Sequence, residues 1–247
     1  MNLVIDIGNT YTKIAVFKQD ELVFNTRYQD PDTATIARLL IDFDIDKSII
    51  STVKKNSEDE WQQVLAQKSR MVYFNSSMNT RIKNHYLTPE TLGADRLAAV
   101  TGANYLYPGK DSLVISGGTC ITYDWVDAGG NYFGGSISPG LNMRYKALNN
   151  YTAVLPLLNT DEDFTANYGN NTTSSILSGV QNGIKYELTG FIESYRANQN
   201  GLNIVLSGGD SIFFDTLLKN SIFAPYIKIE PYLVLKGLNA AIHDNND

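Results

Sequence analysis

Apolar runs joined by short polar turns open the chain and predict a β-hairpin. The run LVIDIG, residues 3–8, is typical of a buried strand, a tight turn follows at Gly8-Asn9-Thr10, and YTKIAVF alternates as a return strand should. ELVFNTR predicts a third strand. Strands and helices then alternate, which indicates an α/β fold.

Helical spacing and start signals predict the later elements. TATIARLLIDF follows Asp-Pro-Asp and predicts a helix, and GADRLAAVTGANYLY predicts one that opens after Gly93. The remaining predictions are strands at Ser48–Thr52, Met71–Phe74 and NIVLS, and helices at about Thr173–Asn198, at IFFDTLLKN and near Leu233–His243, with a frayed DNND tail.

The opening pattern returns in the second half of the chain. LVISGGTCITYDWV, residues 113–126, is again an apolar Leu-Val-Ile strand, a glycine turn with threonine and an alternating return strand. We interpret this as an internal duplication, with one lobe at 1–110 and another at 111–247. The alternative is that any two hairpins share such alternation. No low-complexity linker separates the halves, so we expect closely packed lobes around a cleft.

Charge and cysteine content narrow the function classes. The net charge of −6 and the lack of a Lys/Arg cluster argue against nucleic-acid binding. The single cysteine, Cys120, cannot form an intrachain disulfide, and no apolar run reaches the roughly 20 residues of a membrane span. With no leader-like segment at its start, the chain is expected to be a soluble cytoplasmic protein. His85 and His243 stand alone and do not indicate a metal cluster.

Three glycine turns after strands suggest phosphate binding. They are Gly8-Asn9-Thr10, Gly117-Gly118-Thr119 and Gly208-Gly209, and none belongs to a Walker P-loop or a GxGxxG fingerprint. Glycine lets backbone N–H groups approach a phosphate closely. Each turn taken alone is also compatible with an ordinary hairpin, but their repetition in a duplicated pattern favours the phosphate interpretation.

A carboxylate at the end of the first apolar strand adds to this interpretation. Asp6 would be costly there unless it held a cation or accepted hydrogen bonds, and Mg²⁺ beside ATP phosphates would satisfy it. Lys13 on the return strand could reach a phosphate. The alternatives are a turn-capping carboxylate and a solvated lysine.

Several motifs give the chain a specific family resemblance. DIGNTYTK, residues 6–13, resembles the first phosphate motif of the acetate and sugar kinase/Hsp70/actin superfamily. Within that superfamily, TPETLGADR, GGSISPG, TAVLP and NTTSSILSG resemble, in order, blocks of the type III pantothenate kinases. The resemblance runs nearly end to end. It implies two ribonuclease H-like lobes with mixed sheets flanked by helices, an ATP cleft between them, and a homodimer that phosphorylates pantothenate in coenzyme A biosynthesis.

The resemblance also implies a role for individual residues. Asp95 corresponds to the proton acceptor, and the adjoining Arg96 corresponds to the residue that anchors the pantothenate carboxylate. Thr172 corresponds to a threonine that contacts pantothenate from the neighbouring subunit. The implied ATP-binding residues are Asp6, Ile7, Gly8, Asn9, Thr10, Tyr11, Thr12, Lys13 and Thr119, and the implied substrate-binding residues are Tyr86, Gly93, Ala94, Asp95, Arg96 and Thr172.

One position departs from the family pattern. The second phosphate motif usually carries an aspartate that helps to bind a monovalent cation, whereas this chain has Ser116. A hydroxyl is a weaker ligand for K⁺ than a carboxylate. Dependence on K⁺ or NH₄⁺ therefore cannot simply be carried over.

Other functions remain open from sequence. One is a kinase for another small hydroxylated metabolite. Another is a nucleotide-binding regulator without turnover, which Ser116 alone suggests. A third is an accessory factor for transcription, described for some relatives, against which the acidic charge and Asp95 both argue.

Overall fold

The computed structural model describes residues 1–52, 59–197 and 201–245. The chain forms two compact units. The first contains Met1–Pro108, Gly130–Phe133 and Tyr232–Asp247, and the second contains Gly109–Gly129 and Gly134–Pro231. The lobe boundary predicted after residue 110 lies close to Pro108, where the first segment of the first unit ends. The sequence pattern did not predict that Gly130–Phe133 and Tyr232–Asp247 also belong to the first unit.

The first unit contains a five-stranded mixed sheet. Its strands are β1 (Asn2–Ile7), β2 (Thr12–Lys18), β3 (Glu21–Tyr28), β4 (Lys47–Thr52) and β5 (Arg70–Tyr73), in the order β3-β2-β1-β4-β5. The pairs β1–β2 and β2–β3 are antiparallel, whereas β4 runs parallel to both β1 and β5. The predicted opening hairpin, the third strand and the two short strands are thus confirmed.

The described residues of the first unit include four α-helices. They are α1 (Thr33–Asp42), α2 (Glu60–Lys68), α3 (Ala94–Leu106) and α8 (Leu233–Asp244). Helix α1 begins as predicted, because the Asp32 side chain accepts a hydrogen bond from the Thr35 amide at 2.7 Å and caps the first turn. The sequence analysis did not identify α2.

Helix α8 packs closely on α3. A Cβ added at Gly237 would lie 1.8 Å from the carbonyl oxygen of Ala98, and one added at Gly102 would lie 2.6 Å from that of Leu233. Glycine at both positions therefore lets the two backbones touch, which larger residues would prevent. The contact holds α3 in place, and the first turn of α3 carries Asp95 and Arg96.

The second unit contains a sheet with the same strand order. Its strands are β7 (Ser112–Gly117), β8 (Cys120–Val126), β9 (Asn131–Pro139), β10 (Asn203–Gly208) and β11 (Ile227–Ile229), and β9 begins in the first unit, where it pairs with β6 (Lys83–Asn84). The order β9-β8-β7-β10-β11 repeats β3-β2-β1-β4-β5, with β7–β8 antiparallel and β10 parallel to β7 and β11. This shared order supports the predicted duplication and the mixed α/β fold.

The helices of the second unit cover a separate core. They are α4 (Leu141–Asn150), α5 (Thr172–Leu177), α6 (Gly183–Arg196) and α7 (Ser211–Leu218), with a π-helical turn at Ser178–Asn182 that joins α5 to α6. The long helix predicted from Thr173 is therefore present in three parts, and its predicted end at Asn198 lies outside the described residues. Residues 246 and 247 of the predicted tail also lie outside them. Across the described ranges, no helix is both long and apolar enough to cross a membrane.

Candidate active site

Asp6 lies at the end of β1, among the buried residues of the first unit. It is the next-to-last residue of the strand and only 5% exposed. The strand register places Lys13 opposite it on β2 and Ser51 opposite it on β4. The Lys13 Nζ atom lies 3.8 Å from Asp6 Oδ2, so the predicted acid and base form an ion pair.

The pKa of Asp6 is raised, because the nearby positive charge does not offset the burial of its carboxylate. Burial raises this pKa, the Lys13 ammonium opposes the rise, and the Asp95 carboxylate adds to it, so that the net pKa stands above its ordinary value. A divalent cation would favour the charged form. Asp6 therefore suits Mg²⁺, which proteins often bind through one or two carboxylates together with substrate phosphates and water.

The turn between β1 and β2 carries the small or polar residues Gly8, Asn9 and Thr10, followed by the partly exposed Tyr11. The Gly8 amide donates to the Tyr11 carbonyl at 3.1 Å and closes the turn, whereas Asn9 and Thr10 are exposed. Ile7 and Thr12 are buried and pair with each other across the β1–β2 ladder on either side of this turn.

Gly93 and Asp95 shape the start of α3. Gly93 is the N-cap, and Asp95 is the exposed acidic residue of the first turn. Asp95 Oδ1 accepts a hydrogen bond from the Arg96 amide at 2.9 Å, and a Cβ added at Gly93 would lie 2.6 Å from that oxygen. A side chain at position 93 would thus displace the carboxylate. The positive end of the helix dipole interacts favourably with a negative charge placed here.

Arg96 and Tyr86 come together next to this carboxylate. Arg96 is 6% exposed, and its guanidinium carbon lies 5.7 Å from the centroid of the Tyr86 ring. A cation facing an aromatic ring at this distance is held by the ring quadrupole. The first unit therefore places an acid, a buried guanidinium and an aromatic ring at the start of one helix.

Comparison with known proteins identifies the family. The sequence model of the type III pantothenate kinases matches residues 2–194. A type III pantothenate kinase of Bacteroides fragilis strain YCH46 is 42% identical over 246 residues, which cover 100% of this chain and 99% of that protein. The chain belongs to the type III pantothenate kinase family.

Solved structures agree with the fold. A Baf family transcriptional activator from Campylobacter jejuni aligns with a TM-score of 0.62 at 19% identity, covering 99% of this chain and 98% of that one. The activator of 2-hydroxyisocaproyl-CoA dehydratase from Clostridium difficile, with bound ADPNP, aligns with a TM-score of 0.56 at 12% identity, covering 99% and 96%. At these identities the likeness concerns the fold alone.

The remaining family positions lie in the second unit. Thr119 is exposed in the turn after β7, where the Gly118 amide donates to the Cys120 carbonyl at 3.0 Å. Ser116 lies just before this turn, and its hydroxyl is enclosed. Thr172 is the exposed first residue of α5, behind an Asn171 cap. That these residues group with those of the first unit around one ATP site is a prediction from the family resemblance.

The structure also reveals polar residues that the sequence analysis missed. Arg27 lies opposite Lys13 on β3, with its guanidinium carbon 5.1 Å from the centroid of the Tyr11 ring. Glu187 on α6 and Arg144 on α4 form an ion pair in the second unit. None of them falls in a motif, and only strand register or helix packing reveals their surroundings. Within the described ranges, no group of three or more His, Cys, Asp or Glu side chains could hold a metal ion.

Proposed function

We propose that this member of the type III pantothenate kinase family transfers the γ-phosphoryl group of ATP to pantothenate, giving 4′-phosphopantothenate in the first step of coenzyme A biosynthesis. The observation that carries the proposal is the exposed Asp95 carboxylate, which is close enough to the Asp6–Lys13 pair to raise the pKa of Asp6. A base beside a metal-binding carboxylate is what phosphoryl transfer to an alcohol requires.

Asp95 is the proposed general base. Its carboxylate would accept the proton of the pantothenate primary hydroxyl as that oxygen attacks the γ-phosphorus in line with the leaving oxygen. Because Gly93 has no side chain, the carboxylate has room to adopt its place at the helix start. Most of the rate enhancement then comes from positioning and from charge.

Arg96 and Tyr86 are proposed to bind pantothenate. The guanidinium has a planar set of donors that suits the pantothenate carboxylate, and its burial strengthens the interaction. Tyr86 faces this guanidinium and would orient it. Gly93 and Ala94 would contact the substrate through their backbone, and Thr172 would contact it in a neighbouring copy.

Asp6 to Lys13 and Thr119 are proposed to bind ATP. Asp6 would hold Mg²⁺ directly or through water, and the bound metal would neutralise charge on the phosphates. Lys13 would approach a phosphate as a point charge, because its side chain is 45% exposed beside Asp6. Backbone amides of Gly8, Asn9, Thr10 and Tyr11 would complete the phosphate contacts.

We further propose that the protein works as a homodimer in the cytoplasm. The exposed apolar residues Tyr151, Val154 and Tyr168, which are 80% exposed or more, lie in the segment before Thr172 and would be covered by a second copy. The proposal includes no requirement for K⁺ or NH₄⁺, because Ser116 stands where the family has a carboxylate.

The test is ATP-dependent phosphorylation of pantothenate by the purified protein with Mg²⁺, run in parallel with Na⁺, K⁺ and NH₄⁺ salts. Product above a no-enzyme control would support the proposal. A panel of other hydroxylated acids and sugars would reveal a different acceptor. Folded protein that binds ATP but phosphorylates nothing in the panel would contradict the kinase assignment and favour a nucleotide-binding regulator.

A further inference from the structure

Glu187 in the second unit accepts hydrogen bonds from three different elements. Ser138 Oγ on β9 donates to its Oε1 at 2.5 Å, and the Tyr123 hydroxyl on β8 donates to the same oxygen at 2.7 Å. An Arg144 guanidinium nitrogen on α4 donates to Oε2. Burial would raise the pKa of Glu187, but the donors Ser138, Arg144 and Tyr123 outweigh burial and lower it. The carboxylate is therefore charged at neutral pH, and both of its oxygens accept hydrogen bonds.

Arg144 connects this carboxylate to the turn between β9 and α4. Its Nε donates to the Pro139 carbonyl at 2.8 Å, and its backbone amide donates to the Gly140 carbonyl at 3.0 Å. The same side chain also reaches the Ser138 hydroxyl at 3.1 Å. One arginine thus binds Ser138 and Pro139 at the end of β9, Gly140 before α4, and the Glu187 carboxylate.

The turn held by Arg144 lies directly on the second glycine turn. The Gly140 amide donates to the Thr119 carbonyl at 3.1 Å. A Cβ added at Gly140 would lie 2.1 Å from the Gly118 carbonyl oxygen, so the two backbones are in direct contact. A displacement of Pro139 and Gly140 would therefore either break the hydrogen bond to the Thr119 carbonyl or shift the Gly118–Thr119 turn with it.

We propose that Glu187 and Arg144 are positioning residues for ATP: the ion pair holds Pro139 and Gly140 against the Gly118–Thr119 turn and so sets the place of Thr119. The proposal rests on the proposed role of Thr119 in binding ATP. We expect the pair to affect the binding of ATP and not the binding of pantothenate, because its contacts lead through Pro139 and Gly140 to the Gly118–Thr119 turn.

Glu187→Gln and the milder Arg144→Lys test the proposal. Direct titration with Mg-ATP should give a dissociation constant about tenfold higher in each variant, equivalent to the loss of about one well-placed hydrogen bond. The KM for ATP should rise in parallel, while the KM for pantothenate stays within about twofold of the wild-type value. Unchanged ATP affinity in both variants, with a lowered Tm, would overturn the proposal and leave the pair a purely stabilising role.

Tyr145→Phe is the matched control. Tyr145 lies one residue after Arg144 on α4, and its buried hydroxyl donates at 3.0 Å to Gln181 in the π-helical turn, a contact that does not involve Pro139 or Gly140. This variant should lose stability and keep the wild-type affinity for ATP. If Tyr145→Phe weakened ATP binding as much as Glu187→Gln does, general loosening of α4 would explain both, and the proposal would fail.

A double variant distinguishes an effect of the pair's hydrogen bonds on ATP affinity from an effect of its charges. Glu187→Gln combined with Arg144→Met removes both charges and should recover part of the stability lost in Glu187→Gln, because no guanidinium is left without its carboxylate. ATP affinity should remain low, because Arg144→Met removes the donor to the Pro139 carbonyl; recovery to the wild-type affinity would contradict the positioning role. These titrations need no pantothenate, so a wild-type protein that binds ATP but does not phosphorylate pantothenate would refute the proposed function and leave this inference testable.

Discussion

Asp6 and Ser116 occupy the same position in the two sheets. Each is the next-to-last residue of the first strand of its repeat, and each lies opposite a serine on the neighbouring parallel strand: Ser51 for Asp6 and Ser207 for Ser116. The first repeat therefore carries a carboxylate where the second carries a hydroxyl. Among the described residues, the hydroxyls of Ser116 and Ser207 are enclosed and make no hydrogen bond.

Ser116→Asp should create a response to K⁺. The new carboxylate would be enclosed and costly when charged, so a bound cation should stabilise it. We expect K⁺ to raise both the Tm and the turnover of the variant relative to choline, with a smaller effect on the wild type. Ser112→Asp, at the buried start of the same strand, is the control and should be destabilised without rescue by K⁺. Equal K⁺ responses in all three proteins would refute a cation site at position 116.

Asp95→Asn should remove the general base and little else. We expect kcat to fall by roughly 10²-fold or more, with KM values for both substrates near those of the wild type. Steady-state kinetics and Mg-ATP titration would measure this. Glu60→Gln, which changes another acid in the first turn of a helix, should leave turnover unchanged. Wild-type turnover in Asp95→Asn would show that the base lies elsewhere.

Arg96→Met should abolish discrimination for the substrate carboxylate. The guanidinium is buried beside Tyr86, and we expect it to distinguish pantothenate from pantothenol, in which an alcohol replaces the carboxylate. The wild type should prefer pantothenate by about tenfold or more in kcat/KM, and the variant should treat the two alike. A preference that survives in the variant would move the carboxylate anchor to another residue.

Asp6→Asn should make the metal-free protein more stable and the enzyme inactive. Because the folded-state pKa of Asp6 is raised above its ordinary value of 3.8, folding is opposed once the pH exceeds that value and the carboxylate must ionise. In EDTA at pH 7, the variant should therefore melt at a higher temperature than the wild type. The gap should narrow as the pH falls toward 3.8, because the wild-type carboxyl then becomes neutral too.

A melting temperature at pH 7 that is lower for Asp6→Asn than for the wild type would contradict this prediction. It would mean that the ion pair with Lys13 contributes more than burial costs. Loss of activity alone does not decide the matter, because an amide would also weaken the proposed Mg²⁺ contact.

The sequence alone was sufficient for the features that depend on local pattern and on motif. Alternation and turn glycines predicted the β1–β2 and β7–β8 hairpins, and helical spacing after Asp32 predicted α1. The family motifs singled out Asp95, Arg96 and the first glycine turn, and comparison with known proteins confirmed the family. These signals are short-range, because strand alternation, helix caps and tight turns all depend on residues close together in the chain.

Only the tertiary structure decided the contacts that join distant residues. The register of β1 with β2 and β4 brings Lys13 and Ser51 to Asp6, and the backbone contact between Gly237 and Ala98 fixes α3 and with it Asp95. The Glu187–Arg144 pair spans 43 residues and belongs to no motif. Such contacts arise from how packed elements meet, and one residue's change in register would bring a different side chain to Asp6.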